Sequence, residues 1–461
     1  MTERDIVIIG CGASGGTAAQ FARKTDRKAN ITVFEKGTYP QYSKCALPYV
    51  ISEVIPSSSQ LFEYNEDWFK KARIDLHLQT TVESIDPEEH IVIAKKSDGS
   101  FIKKQYTSLI LATGARPSAP PIRNIMSDTQ FIKGVFALRT LDDAKNISSS
   151  IKKDCHATVI GAGLIGLEMA DCLHTKGMHV TIVEALPTIL PNTLDQDMSL
   201  IVETKIKAYV NVLTNHLASE AQIDKHAISS LVINEKSTHE TKTIPTDLLI
   251  IATGTKPDIS LAKQIGCSIG ETGSILVNNR SQTSQKDIYA IGDCTEFKDF
   301  VTKRPVSIGL GSIAVRQGIT AGINAAGDLY LLPDGVLQTC TSEFFGIEIA
   351  AVGPSTQRLT ENDVIIGKHL GSSLPTYFPN GKPIALKTVV DAKTGKILAA
   401  QAVGSNAAQR INSYATAILG EMTIDVFRKL ETAYAPPIAP TLDVITLAAD
   451  VAAMKQQRKN R

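Results

Sequence analysis

A Gly-x-Gly-x-x-Gly loop occurs twice in this chain, each time inside the same strand–loop–helix–strand unit. That repetition restricts the fold more than any other feature. The first unit opens with the apolar run Asp5–Ile9, as expected of a parallel strand covered on both faces. It turns through Gly10, Cys11, Gly12, Ala13, Ser14 and Gly15 into a small-residue helix over Thr17–Arg23, and a second strand follows over Ile31–Glu35. The whole is a βαβ unit of about 30 residues, the context in which such a loop is informative. The second unit repeats it: strand Ala157–Ile160, loop Gly161–Gly166, helix Leu167–Lys176, strand Val180–Glu184.

The glycines have separable jobs. Gly10 and Gly161 allow the tight turn, Gly12 and Gly163 let backbone approach a pyrophosphate, and Gly15 and Gly166 let helix and strand pack closely. Ala13 and Ser14 in one loop, Leu164 and Ile165 in the other, lead into helices whose free N–H groups and positive dipole end face the phosphates. Glu35 and Glu184 end the second strands, where a carboxylate accepts hydrogen bonds from a ribose diol. Two such sites imply two dinucleotides and electron transfer between them. Glu184 repels the extra phosphate of NADP and no arginine follows it in Ala185–Ile189, which predicts NADH over NADPH.

Leu109–Leu111 with the turn Ala112, Thr113 and Gly114 closes the first unit, and Leu248–Ile251 with Ala252, Thr253 and Gly254 closes the second. Asp287–Asp293 is a strand running into Gly292 and Asp293, a carboxylate that suits either an ordinary helix N-cap or the hydroxyls of a ribityl chain. From about Leu332 short strands appear (339–345, 347–352, 364–370, 384–390 and 397–403), with a hairpin turn at Lys393–Lys396. Helices at 408–419, 423–429 and 442–454 close the chain. The predicted fold is α/β: two Rossmann-like domains, the first from 1–118 and 248–328 and the second from 119–247, plus an α+β domain over 332–461.

With 48 basic and 47 acidic residues among 461, nothing in the charge points to nucleic acid. Seven cysteines without a CxxC pair are those of a reducing cytosol and form no metal-ligand spacing. The charged start runs directly into a strand and no apolar run is long enough for a membrane span, so a cytoplasmic protein without a signal peptide is expected. Cys45 stands in Ser43, Lys44, Cys45, Ala46, Leu47, Pro48, Tyr49 with no second cysteine nearby, which suggests one-thiol redox chemistry. Lys44 is expected to point to solvent.

Taken together, the loops, the two Ala-Thr-Gly turns, the late Gly-Asp and the C-terminal domain resemble the two-dinucleotide flavoprotein disulfide reductases over essentially the whole chain. That resemblance implies FAD in the first domain, held also by Lys36, Ser43 and Val82, NAD in the second, and a homodimer completed across the interface. Cys45, Ala46, Leu47, Pro48 and Tyr49 resemble the segment of coenzyme A disulfide and NADH-dependent persulfide reductases. NADH oxidases and peroxidases usually carry a histidine where Ala13 stands. Tyr377 and Tyr434 lie in segments whose tyrosines reach the partner's cysteine, and Glu168 matches a glutamate that places the nicotinamide. The implied chemistry passes electrons from NADH through flavin to Cys45, which is held as a mixed disulfide with coenzyme A, a persulfide or a sulfenic acid. A lowered thiol pKa at Cys45 is expected. Arg23, Lys24, Lys71 and Arg73 are candidate contacts for the phosphates of coenzyme A. Oxygen or polysulfide as acceptor is the alternative.

Overall fold

The computed structural model describes residues 4–128 and 130–460. Its first sheet is wholly parallel, in the order Ile288–Ala290, Ser108–Leu111, Asp5–Ile9, Asn30–Phe34, Ile74–His77. Strand order reverses at Asp5–Ile9, whose carboxyl end becomes the crevice where such sheets bind ligands. Gly10 follows at once with φ +103, a conformation that side chains resist. A Cβ on Gly15 would lie 1.9 Å from the Gly10 carbonyl oxygen, so the Ala13–Thr25 helix reaches its strand only because that atom is missing.

The second sheet repeats the design in the order Val135–Phe136, Leu248–Ile251, His156–Ile160, His179–Val183, Asn211–Leu213. Here the expected boundary is corrected. Leu248–Ile251, assigned to the returning segment of the first domain, pairs in parallel with His156–Ile160. The chain crosses back at Thr255–Pro257, which forms a short antiparallel ladder with Ala115–Pro117. An apolar run specifies a buried strand but not which of two parallel sheets receives it. Each domain also carries a three-stranded antiparallel excursion, spanning Thr80–Gln105 and His216–Pro245, that sequence reading did not anticipate.

The C-terminal sheet is antiparallel, in the order Cys340–Phe344, Ile347–Val352, Ile397–Gly404, Pro383–Asp391, Val364–Ser372. Helices Ala407–Leu419 and Val444–Lys459 cover one face. The other face joins the core of the second nucleotide domain through Phe344, Ile347, Ile349, Ala385 and Val403. An ion network fastens the same junction: buried Lys387 pairs with buried Asp195 at 2.8 Å and exposed Asp197 at 2.7 Å, and Gln401 Oε1 accepts from the Asp195 amide. Among the described residues, no helix is long and apolar enough to cross a membrane.

Candidate active site

A cavity of about 1700 Å³ opens at the carboxyl edge of the first sheet. The glycine loop forms its floor through Gly10, Gly12, Ala13 and Ser14, while Gly15 packs beneath it. Glu35, Lys36, Ser43, Cys45, Val82, Ala112, Thr113, Gly114 and Asp293 also line the cavity. Gly12 is the N-cap of the Ala13–Thr25 helix, and neither it nor the first turn supplies a side-chain cap or an acidic residue. A Cβ added to Gly12 meets nothing within 4 Å, so no protein atom accounts for a glycine there. An uncapped helix start above open space suits a diphosphate, and the lining fits FAD.

Glu35 is spent partly within the protein. Its Oε2 accepts from the Cys11 amide and its Oε1 from the Gly37 amide, both at 2.7 Å. Glu184 does the same for the second loop, accepting from Ala162 at 2.7 Å and Leu186 at 2.8 Å. Each carboxylate fixes its glycine loop and keeps lone pairs for a ribose. The second loop (Gly161, Gly163, Leu164, Ile165 and Gly166) and Gly254 sit at the carboxyl end of the second sheet and do not line the cavity. Lys236 donates to the Ala185 carbonyl at 3.2 Å, a cation at this strand end that the linear sequence does not reveal.

All seven cysteines are free, and Cys45 is exposed to the cavity. Its Sγ lies 3.8 Å from where a Cβ on Gly311 would project, at the start of the Gly311–Ala325 helix. The expected lowering of the thiol pKa is not seen. Burial of the sulfur pushes it up, Glu168 and Asp293 add to this, and Arg139 opposes them. Lys44 is exposed, as expected, and lines the cavity, and desolvation by its surroundings, with the nearby Arg139, pulls its pKa down. Glu168, on the Leu164–Thr175 helix, is half-buried with its carboxyl pKa pushed up by burial. It accepts from the Ser342 hydroxyl at 2.5 Å.

Arg139 is the main residue that sequence reading missed. Its guanidinium lines the cavity and pairs with Asp293 at 2.6 Å, while its Nε is buried without a partner. It precedes a capping box in which Thr140 and Asp143 start the Leu141–Ser150 helix, and Tyr42 accepts from the Leu141 amide at 3.1 Å. The Thr-x-x-Asp spacing was legible, but the arginine beside it carried no signal of its own.

Arg23 does a different job from the phosphate contact expected of it. Its guanidinium donates to the carbonyls of Ala72, Asp26, Arg27 and Arg73, clamping a helix end to the next strand. Arg73 in turn donates to the Arg27 carbonyl at 3.1 Å. Lys24 lies 4.5 Å from the Phe21 ring centre, and Phe21 lines the cavity. Lys71 is exposed, and neither lysine has a carboxylate partner among the described residues. Tyr377 and Tyr434 bond each other through their hydroxyls at 2.8 Å on an exposed surface, and neither lines the cavity of its own chain.

Comparison with known proteins agrees with this geometry. Residues 4–318 match the family model of the pyridine nucleotide-disulphide oxidoreductases, and residues 339–444 match the dimerisation domain of that family. The chain belongs to the pyridine nucleotide-disulphide oxidoreductases. It is 35% identical to an NADH oxidase of Methanocaldococcus jannaschii, over 98% of this chain and 99% of that one. It is 29% identical to the coenzyme A disulfide reductase of Staphylococcus aureus, over 96% and 98% respectively. The structure of a NAD-dependent persulfide reductase from A. fulgidus superposes with a TM-score of 0.93 at 34% identity, covering 98% of this chain and 84% of that one.

Proposed function

We propose that this protein oxidises NADH to reduce a low-molecular-weight disulfide or persulfide through Cys45, with coenzyme A disulfide as the leading substrate. The observation that carries the reading is a lone, free, exposed thiol facing a cavity whose floor is an uncapped phosphate loop. Bound FAD supplies a two-electron relay between nicotinamide and sulfur. It is held by Gly12, Ala13, Ser14, Glu35, Thr113, Arg139 and Asp293. Cys45, as thiolate, attacks one sulfur of the substrate. The S–S bond breaks, one thiol leaves with the electron pair and a proton, and Cys45 becomes a mixed disulfide. Two electrons from NADH then free the second thiol and regenerate Cys45.

The protein must lower the cost of that thiolate during turnover, because burial, Glu168 and Asp293 oppose it and outweigh Arg139 and the Cys45 backbone amide, which favour it. Tyr377 and Tyr434, already bonded to each other, contribute from a second copy of the chain, where a phenol protonates the departing thiolate. Glu168 places the nicotinamide. Glu184 sets a preference for NADH that Lys236 moderates. Lys24 and Lys71 attract the phosphates of coenzyme A.

Oxygen as acceptor is the second reading, favoured by the likeness to an NADH oxidase. Ala13 cannot transfer a proton, which disfavours it. Rates of NADH consumption with coenzyme A disulfide, polysulfide and oxygen decide between them. Catalytic efficiency with coenzyme A disulfide at least tenfold above the others is expected, and oxygen as the best acceptor overturns the proposal.

A further inference from the structure

Ser342 and Glu168 are 174 residues apart and belong to different domains, yet the hydroxyl donates directly to the carboxylate. Ser342 lies in the edge strand Cys340–Phe344 of the C-terminal sheet. Strand alternation puts it on the side of Phe344, which is fully buried in the core shared with the second nucleotide domain. The Phe345 amide donates to Asp171 Oδ2 at 3.0 Å, one helical turn beyond Glu168. The strand is thus pinned to the glycine-loop helix at two points.

The surroundings of Glu168 make this one hydrogen bond important. Glu168 acts on the Cys45 thiol and the Tyr49 phenol of the redox loop, and Asp171 on its own helix and Glu343 on the strand act on the same Tyr49. None of these is a cation. The strands behind the helix contribute aliphatic side chains such as Val159, Ile182 and Ile250. Among the described residues, Ser342 is the one side-chain donor to this carboxylate.

We propose that Ser342 is a positioning residue for the nicotinamide half of the reaction, holding Glu168 aimed so that the C-terminal domain governs the second nucleotide site. The inference rests on the reading of Glu168 given above. Burial favours the protonated carboxyl and the Ser342 bond opposes it. Without the hydroxyl, a half-buried carboxylate keeps no side-chain donor and takes up a proton at higher pH. A hydrogen bond to a charged group corresponds to a shift of about one pH unit.

The test is anaerobic rapid-mixing reduction of the FAD-loaded enzyme by NADH, read as flavin bleaching across pH. It yields the NADH dissociation constant separately from the limiting rate. Ser342→Ala is expected to move the acid limb of the profile upward by about one pH unit, and Ser342→Thr, which keeps the hydroxyl, to restore it. Added to Glu168→Gln, Ser342→Ala should change neither quantity by more than about twofold. An unshifted Ser342→Ala profile beside an impaired Glu168→Gln enzyme overturns the inference, as does an additive loss in the double variant. A Glu168→Gln enzyme matching the parent in both quantities instead removes the underlying reading of Glu168.

Discussion

Two glycines three positions apart in one loop should respond to alanine in opposite ways. At Gly15 the new Cβ would lie 1.9 Å from the Gly10 carbonyl oxygen, more than 1 Å inside any tolerable contact, and that atom is backbone. Helix and strand must separate, at a cost of about 3 kcal/mol. At about 2–4 °C per kcal/mol, this lowers the melting temperature of the flavin-stripped protein by roughly 6–12 °C. At Gly12 the Cβ touches nothing, and φ −74 with ψ −168 is open to alanine. Loss of a glycine N-cap costs about 0.5–1 kcal/mol, and the stiffer unfolded chain returns about 0.4–1 kcal/mol. The stripped Gly12→Ala protein should therefore melt within about 2 °C of the parent. Its methyl group nevertheless occupies the phosphate cradle, so FAD affinity should fall at least tenfold, about 1.4 kcal/mol. Thermal melting of stripped protein and FAD titration by fluorescence quenching measure the two effects. Unchanged FAD affinity in Gly12→Ala, or an unshifted melt in Gly15→Ala, refutes the account of the loop.

Other consequences concern the thiol and the domain junction. Cys45→Ser should retain flavin and its bleaching by NADH while losing disulfide reduction by at least about 100-fold. Because burial, Glu168 and Asp293 push the Cys45 thiol up, its alkylation in stripped protein should be slow at neutral pH and should still be rising above the ordinary thiol range. Glu168→Gln should shift that curve to lower pH, and mass spectrometry of the Cys45 peptide against pH checks both statements. Gly311→Ala should be tolerated within about twofold in turnover, whereas Gly311→Val should crowd the sulfur and cost tenfold or more. Lys387→Met leaves Asp195 buried without its cation, which should destabilise the junction by about 3 kcal/mol in denaturant or thermal unfolding.

What the sequence revealed was what is local. Gly10 to Glu35 and Gly161 to Glu184 were legible because loop spacing, helix start and acid all fall within one unit. The strands of the C-terminal sheet were legible as short β-like runs with a hairpin turn between the last two. Partnership was not legible. Leu248–Ile251 reads identically whichever parallel sheet receives it, and the structure gives it to the second. Arg23 looked like a phosphate ligand because a charge run shows sign but not the carbonyls that a guanidinium caps. Arg139 and Ser342 act across domain boundaries, on Asp293 and Glu168, where no spacing rule reaches. The rise in the Cys45 pKa was hidden for the same reason, since the burial that chiefly causes it and the carboxylates at positions 168 and 293 that add to it come from tertiary packing.

The central claim, that Cys45 alone carries the substrate sulfur, is tested most directly by the intact mass of the non-reduced, flavin-stripped protein. The account predicts one added thiol of coenzyme A mass per chain, lost on treatment with a thiol reductant and absent from Cys45→Ser. A mass unchanged by reductant, and equal to that of the bare chain, would contradict it.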